Sequence, residues 1–258
     1  MIDERFTRTI QLIGEAGLQR LQSSFVVVVG LGAVGSFATE ALCRAGVGRL
    51  RLVDFDCVQP SNLNRQIFAL ESTLGRLKCE VARGRVLDIN PRCQVESLPL
   101  KITPDNAACV FDGRPDLVLD AIDSIVGKAA LVMEAQAQKI PLLASMGAAR
   151  RTDPAALRVG PFSQVTTCPL ARQLRRRLRQ AGFSGDFLCI YSTEPPAPLG
   201  PGVPSEAADA NSAETTADPR ATLGSLPTLT GLFGLRLAHE ALRHLLGEQA
   251  FKKQIQNG

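Results

Sequence analysis

Three features that would each point to a class of protein are missing from this sequence of 258 residues. It has no C-x-x-C pair and an odd number of cysteines, seven, which argues against a disulfide framework and a four-thiolate zinc site. It has no apolar run near its start long enough to span a membrane, and "MIDER" is unlike a signal peptide. It also lacks a large net charge: +4 leaves room only for a local nucleic-acid surface. We therefore expect a soluble, cytoplasmic protein in a reducing environment, with no membrane partner.

Short apolar runs alternate with segments of helical spacing up to about residue 148. Strands are predicted at residues 25–29, 49–54, 92–100, 116–122 and 140–145. Helices are predicted at residues 3–22, 36–45, 74–89 and 128–139. Strands that alternate with helices indicate βαβ units. The predicted fold class is therefore α/β, with a Rossmann-like, doubly wound and largely parallel sheet.

The last third of the chain has a different composition. Residues 195–221 are rich in Pro, Ala, Ser, Thr and Asp, so they cannot bury enough apolar surface to order themselves, and we predict a mobile loop. Residues 226–246 then predict a long apolar helix, on which Gly231 and Gly234 allow another backbone to approach closely. His239 and His244 lie on this helix, and we interpret the helix as part of the core.

A glycine-rich turn follows the first predicted strand. Gly30, Gly32 and Gly35 form G-x-G-x-x-G between a strand and a helix, where the glycines permit a tight turn and a close approach to phosphate. Phosphate oxygens would then meet the helix N-terminus. Asp54 follows 24 residues after Gly30, at the end of the next strand, where an acid accepts hydrogen bonds from ribose hydroxyls. The pattern predicts a nucleotide site without specifying the nucleotide.

The residues after this turn favour a triphosphate over a dinucleotide. A second acid, Asp56, is followed by "SNLNRQ", in which Arg65 offers a planar fork of donors to phosphate. Lys78 adds a point charge farther along. "DAIDS" places Asp120 and Asp123 at the end of a parallel strand, where ligands bind in open α/β sheets. A carboxylate beside phosphates suits Mg²⁺. Hydride transfer needs none of these groups, so we expect ATP and Mg²⁺.

These motifs resemble a known family. "GLGAVGS", "VDFD", "SNLNRQ", Lys78 and "DAIDS" are similar to the adenylating fold of the ubiquitin-activating enzymes and the ThiF, MoeB and HesA proteins, over roughly residues 4–147. The resemblance implies a homodimer that transfers an adenylyl group from ATP to a carboxylate. The implied catalytic residues are Arg8, Arg65, Lys78 and Asp123. The implied ATP-binding residues are Gly30, Gly32, Gly35, Asp54, Asp56, Asn62, Asn64 and Gln66.

The roles that the resemblance implies differ among these residues. Asp54 would bind the ribose, Asp123 would hold magnesium, and Arg8 would act in the partner subunit's site. The phosphates would be bound by Asn62, Arg65 and Lys78.

Other segments are similar to one branch of this family. "TPDNA", "DAIDSIVGKAAL", "CPLARQLRRRLRQAG" and "YSTE" resemble the branch that adenylates threonylcarbamoyladenosine in tRNA and closes it to a cyclic form by dehydration. The departures are residues 195–221 and "SMGAARR", where a more glycine-rich turn is expected. Two alternatives stay open: adenylation of the C-terminal carboxylate of a ubiquitin-like or sulfur-carrier protein, and a non-catalytic NAD- or RNA-binding module. The family also implies sulfur-transfer partner proteins.

The C-terminal part adds two candidate sites. Residues 1–160 are predicted to form the ATP-binding adenylation domain with an N-terminal helix, and residues 161–258 the C-terminal part of the same fold. A basic helix, capped by Thr166 or Thr167 with Pro169 in its first turn, docks through leucines. Its opposite face predicts contact with the RNA backbone through Arg172, Arg175, Arg176 and Arg179. By resemblance, Cys189 is the candidate catalytic thiol, although cyclisation does not require a thioester.

Overall fold

A computed structural model describes residues 3–198 and 223–247 of the chain. The predicted mobile loop at 195–221 therefore lies outside the described residues from position 199 onward. Within the described residues, none of the helices combines the length and apolar character needed to cross a membrane.

Seven strands form one sheet in the order β3-β2-β1-β4-β5-β7-β6. The strands are β1 (Phe25–Val29), β2 (Arg49–Val53), β3 (Gln94–Leu98), β4 (Leu117–Asp120), β5 (Leu142–Ser145), β6 (Leu157–Pro161) and β7 (Leu188–Ser192). All neighbours run parallel except β6, which is antiparallel to β7. The predicted α/β, largely parallel sheet is confirmed.

Helices cover both faces of the sheet. They are α1 (Thr7–Ser23), α2 (Gly35–Ala45), α3 (Lys78–Ile89), α4 (Ile125–Gln138), α5 (Pro169–Gln180) and α6 (Pro227–Leu246). One core packs α1, α2, α3 and α6 against the sheet, and the other packs α4 and α5. The strand β1 is buried at every position because its alternate valines enter both cores. This explains why its sequence is continuously apolar rather than alternating.

The order of the strands places the site. The chain moves outward from β1 to β2 and β3 on one side, and then crosses to β4 on the other side of β1. The carboxyl ends of β1 and β4 therefore border a crevice at a topological switch point, where ligands bind in open α/β sheets. Both the glycine turn after β1 and the "DAIDS" segment after β4 lie at this edge.

The glycines of α6 allow it to pack closely on α2. A Cβ on Gly234 would lie 2.3 Å from the carbonyl oxygen of Val34, and one on Gly231 would lie 3.2 Å from the Phe37 ring. The predicted close approach of another backbone is thus confirmed, and it occurs at the amino-terminal end of α2. The helix α6 therefore packs against the residues that follow the glycine turn.

The sequence suggested that the alternation of strands and helices ends near residue 148. The structure shows that it continues. Both β6 and β7 follow, and they extend the sheet. The predicted boundary between residues 160 and 161 falls inside β6, so the two predicted parts share one sheet. The helix α1 also contains a kink at Gly14, whose φ of 73° is outside the helical region.

Candidate active site

The glycine turn between β1 and α2 is shaped by contacts that exclude side chains. Gly30 has a φ of +87°, and a Cβ on Gly35 would lie 1.7 Å from the Gly30 carbonyl oxygen. At Gly32 a Cβ would meet only the Gln66 amide nitrogen, at 3.8 Å. The first and third glycines thus close the turn, while the second leaves space open at the start of α2. No side-chain hydrogen bond caps α2 among the described residues, which suits an anion at its N-terminus.

Asp54 ties this turn to the end of β2. Its two carboxylate oxygens accept hydrogen bonds from the backbone N–H of Leu31, at 2.7 Å, and of Asp56, at 2.9 Å. The side chain is 8% exposed, so burial raises the pKa of Asp54, and the nearby Lys78 ammonium opposes that rise. A carboxylate has about four acceptor positions. Asp54 therefore keeps acceptor capacity for ribose hydroxyls after bonding the turn.

The second acid, Asp56, has a different partner from the first. Its carboxylate accepts a hydrogen bond from Lys78 Nζ at 2.9 Å, and its carbonyl oxygen accepts one from the Lys78 backbone N–H at 2.9 Å. The Lys78 side chain is buried at the first turn of α3. Asp56 thus holds the side chain and the backbone of Lys78, and its contact with ATP stays a prediction. The carboxylate positions the lysine charge and partly neutralises it.

The "SNLNRQ" loop packs against the glycine turn. Asn62 and Gln66 are buried, and the Ile67 backbone N–H donates to Ser36 Oγ in the first turn of α2. The Asn62 side-chain oxygen accepts a hydrogen bond from the Gln59 N–H. The Gln66 amide lies beside Gly32, and the Asn62 side chain holds the start of its own loop.

The two polar residues between these amides are more exposed. The Arg65 guanidinium donates to the Ser61 carbonyl oxygen and to the Asn64 side chain, and Asn64 also donates to the Ser225 carbonyl oxygen. The structure thus holds Arg65 by its own loop at the edge of the site.

The two acids of "DAIDS" lie in different environments. Asp120 is fully buried and forms an ion pair of 2.8 Å with Lys128, whose Nζ also donates to the Ser145 carbonyl oxygen. Burial raises the pKa of Asp120 and the Lys128 ammonium opposes it. Three residues later, Asp123 is exposed before the Ser124 cap of α4. Of this pair of carboxylates, Asp120 is fully buried and Asp123 is the one exposed to solvent.

The donor set fits a magnesium ion that is bound mainly through a substrate. No three His, Cys, Asp or Glu side chains within residues 3–198 and 223–247 converge on a point where they could hold a metal. Mg²⁺ is commonly held by one or two carboxylates together with substrate phosphates. The exposed Asp123 carboxylate, next to the crevice, meets that requirement.

Comparison with known proteins identifies the family. The model of the ThiF family matches residues 6–257. The chain is 43% identical to tRNA threonylcarbamoyladenosine dehydratase of Bacillus subtilis, over 74% of this chain and 76% of that protein. It belongs to the ThiF family.

Other members of the family show how far the likeness extends. The Escherichia coli tRNA threonylcarbamoyladenosine dehydratase is 40% identical over 74% of each chain. Its solved structure in complex with AMP has a TM-score of 0.84, covering 97% of this chain and 98% of that chain. The complex with ATP has a TM-score of 0.83 and covers all of both chains. A molybdopterin-synthase adenylyltransferase of Haemophilus influenzae is 33% identical over 68% of this chain and 71% of that protein.

Arg8 lies away from the nucleotide site of its own chain. It is exposed in the first turn of α1, two residues after Phe6. The Phe6 ring would lie 3.2 Å from a Cβ on Gly46, which ends α2 at the opposite end from the glycine turn. A helix of 11 residues is about 16 Å long. Arg8 therefore lies near the end of α2 that is opposite the glycine turn of its own chain.

The structure does not support Cys189 as a reactive thiol. The residue lies inside β7, is 0% exposed, and its Sγ donates to the Phe187 carbonyl oxygen. Burial raises the pKa of Cys189 well above its usual value. The thiolate is the nucleophilic form of cysteine, so this environment disfavours the reactive species. The expectation of a catalytic thiol here is corrected on this ground.

The basic face of α5 exists, but its four arginines are not equivalent. Together with Gln180 they line a surface cavity of about 520 Å³. The Arg175 guanidinium, however, donates to the carbonyl oxygens of Phe162 and Val165 and stacks on the Phe162 ring. It holds α5 to the body of the protein. The α5 stripe, defined as the exposed arginines, consists of Arg172, Arg176 and Arg179.

The capping of α5 differs from the prediction. Pro169 does occupy the first turn, but the N-cap residue is Cys168, without a side-chain hydrogen bond. Thr167 Oγ1 instead donates to the Ser192 carbonyl oxygen at the end of β7. Neither predicted threonine caps the helix, and no side chain of the described residues does so.

Two buried cations were missed by sequence reasoning. Lys128 was assigned only to a helix, although a lysine within the apolar run "IVGKAALV" is a signal for a buried partner. Arg151 belongs to "SMGAARR", which the sequence marked only as a departure from the family pattern. It is 2% exposed.

Proposed function

We propose that this protein uses ATP to adenylate the carboxylate of threonylcarbamoyladenosine in tRNA and then closes the side chain to a ring, with net loss of water. The observation that carries the proposal is the set of ribose acid, buried lysine and exposed acid around the glycine turn. It occurs in a chain that is similar along its whole length to tRNA threonylcarbamoyladenosine dehydratases.

The reaction has two steps. A carboxylate oxygen attacks the α-phosphorus of ATP, the bond to the bridging oxygen breaks, and pyrophosphate leaves with the electron pair. An atom of the same side chain then attacks the acyl carbon, loses its proton and displaces AMP. Adenylation makes this possible because AMP is a far better leaving group than hydroxide. The substrate thus loses the elements of one water, while ATP becomes AMP and pyrophosphate.

The residues of the chain bind, orient and compensate charge. Asp54 holds the ribose and the glycine turn holds the phosphates at the start of α2. Lys78, released from Asp56, meets the charge that develops on the leaving phosphates. Asn62 and Gln66 supply neutral hydrogen bonds beside them. Asp123 would hold Mg²⁺, which when bound offsets phosphate charge.

A homodimer completes the site in this proposal. Support comes from the position of Arg8, which is exposed and lies at the far end of α2 from its own glycine turn. An arginine that crosses from a partner subunit would stabilise charge at the transferring phosphate. Arg65 would turn from its own loop to the same phosphates.

The tRNA contacts include the α5 stripe. Its three arginines are exposed beside an open cavity, and arginines so placed bind the phosphate backbone. A cytoplasmic location agrees with a tRNA substrate. The involvement of sulfur-transfer partner proteins stays a prediction.

Release of pyrophosphate tests the adenylation step. The assay compares tRNA that carries threonylcarbamoyladenosine, the same tRNA without the modification, and a small carrier protein with a free C-terminal carboxylate. The proposal expects release only with the modified tRNA, and none from a folded Asp123→Ala variant. Release that depends on the carrier protein would instead favour the second candidate, which the 33% identity to a molybdopterin-synthase adenylyltransferase keeps under test.

A further inference from the structure

Arg151 is a buried cation whose hydrogen-bonding groups are largely unused. It is 2% exposed. Among the residues that the structure describes, its Nη2 donates to the Thr167 carbonyl oxygen alone, at the long distance of 3.5 Å. Its Nε and Nη1 are buried and have no hydrogen-bond partner among residues 3–198 and 223–247. A buried charge without partners costs free energy, so native proteins almost always pair one.

The other buried cations of this protein follow that rule. Arg51 donates to the Glu96 carboxylate and to three backbone carbonyl oxygens. Lys128 pairs with Asp120. Arg151 is therefore an exception within its own structure, and an exception of this kind calls for a ligand.

Glu194, an acid whose charge interacts with that of Arg151, is already engaged. The Glu194 carboxylate accepts hydrogen bonds from the backbone N–H groups of Thr152 and Asp153 and from the Thr152 hydroxyl. These backbone hydrogen bonds are the main cause of the lowered pKa of Glu194. The Arg151 charge lowers this pKa further, at longer range. Glu194 thus fixes the loop that carries Arg151, and within the described part of the chain the guanidinium has no hydrogen-bonded acid.

The position of Arg151 relates it to the nucleotide site. Its loop follows β5, which lies two strands from β1 in the parallel part of the sheet. Neighbouring strands are about 4.8 Å apart, so the ends of β1 and β5 are separated by about 10 Å along the carboxyl edge. The loop of Arg151 thus starts from the same edge of the sheet that carries the glycine turn.

The same place holds a second feature that attracts anions. Thr167, which Arg151 contacts, lies directly before the N-terminus of α5. That helix has 12 residues and no side-chain cap. Its free N–H groups and dipole favour negative charge. A buried, underused guanidinium and an open helix N-terminus therefore converge.

We propose that Arg151 and the first turn of α5 bind an oxyanion of the tRNA substrate, namely the carboxylate that is to be adenylated. This inference rests on the proposed function and assigns the residue that recognises the reacting group. The guanidinium holds the carboxylate beside the α-phosphate, and it distinguishes modified from unmodified tRNA. The α5 stripe, in contrast, contacts the backbone that both RNAs share.

The test measures binding without ATP, for tRNA with threonylcarbamoyladenosine and for the same tRNA without it. We expect wild-type protein to prefer the modified tRNA about tenfold to 100-fold, which corresponds to about 1.4 to 2.8 kcal/mol. Arg151→Met should abolish the preference, and Arg151→Lys should keep part of it. Arg150→Met is the matched control, because this neighbour is half-buried and donates to the Ala197 carbonyl oxygen. It should keep the preference.

The melting temperature distinguishes this proposal from a purely structural role of Arg151, because removal of a structural arginine would lower Tm. Removal of an unpaired buried charge is neutral or stabilising, so Arg151→Met should keep or raise Tm. An unfolded or clearly destabilised Arg151→Met variant would overturn the proposal.

The same binding measurements distinguish the substrate carboxylate from a backbone phosphate as the bound oxyanion. If Arg151 bound a backbone phosphate, Arg151→Met would weaken both RNAs equally and flatten the salt dependence by about 0.7 to 0.9. That result, or an unchanged preference, would overturn the carboxylate assignment. A wild-type preference that Arg151→Met abolishes, without any ATP-dependent dehydration, would support the Arg151 site and refute the proposed function.

Discussion

The buried pair of Asp120 and Lys128 yields a prediction about both stability and function. Both side chains are 0% exposed and their charged atoms are 2.8 Å apart. Lys128→Met would leave the Asp120 carboxylate in the core without its counter-charge. Breaking a buried pair in this way costs about 3 to 5 kcal/mol. At about 2 to 4 °C per kcal/mol for a chain of this size, Tm should fall by about 6 to 20 °C.

A double-mutant cycle separates the pair from its surroundings. Asp120→Asn alone leaves Lys128 uncompensated, and the double variant removes both charges. We expect the double variant to be more stable than the sum of the two single changes predicts, by about 1 to 3 kcal/mol. Asparagine keeps an oxygen that can accept the Ile122 N–H, the bond that anchors the Asp123 loop. The double variant should therefore retain ATP turnover.

The dependence on pH has a defined sign in Lys128→Met. Burial already raises the pKa of Asp120, and loss of the lysine removes the main opposing charge. The folded state then binds a proton that the unfolded state releases at lower pH, so stability falls as pH rises through the raised pKa. Urea denaturation at pH 5 and pH 8 measures this. Lys139→Met, which changes an exposed lysine at the end of the same helix, serves as control.

Two outcomes would refute the reasoning about this pair. One is additive effects of the two single changes in the double-mutant cycle, and the other is a loss of stability below about 0.5 kcal/mol in Lys128→Met.

Three further predictions follow from the site. Gly32→Ala should fold with unchanged Tm but bind ATP more weakly, as measured by calorimetry, and an equal ATP affinity would contradict this. Gly35→Ala should not fold, because its Cβ would lie 1.7 Å from a carbonyl oxygen. Arg175→Ala should lower Tm, while alanine at all three positions of the α5 stripe should leave Tm unchanged and flatten the salt dependence of tRNA binding by about 2 to 3; an unchanged slope would mean a solvated face. Arg8→Ala and Lys78→Ala should each be inactive alone and, after subunit exchange, recover about a quarter of the sites; no recovery despite verified exchange would exclude a crossing arginine.

The sequence sufficed for the central strands and for the position of the nucleotide site. β1 is continuously apolar, and β4 is apolar up to the buried Asp120, because both strands are buried on both faces. The glycine turn lies between a strand and a helix that are both readily predicted. β6 and β7 were missed. β6 is an antiparallel edge strand with several half-buried residues, and its partner β7 lies about 30 residues away, beyond α5. Such pairing is non-local, so no local periodicity in the sequence predicts it.

The partners of the site residues required three dimensions. Asp56 and Lys78 are 22 positions apart and meet only because α3 begins beside the end of β2. Thr167 could cap a helix by its chemistry, but its hydroxyl bonds β7 instead. The loop that carries Arg151 is held by Glu194, through contacts across 41 to 42 positions. In each case the residue type is visible in the sequence and the competing partner is not.

The most direct test of the proposed function is mass spectrometry of nucleosides from tRNA that has been incubated with the protein and ATP. The account predicts that threonylcarbamoyladenosine loses the mass of one water, only when ATP is present, and with AMP and pyrophosphate as the other products. Wild-type protein that binds ATP but leaves the mass of the modified nucleoside unchanged would contradict it.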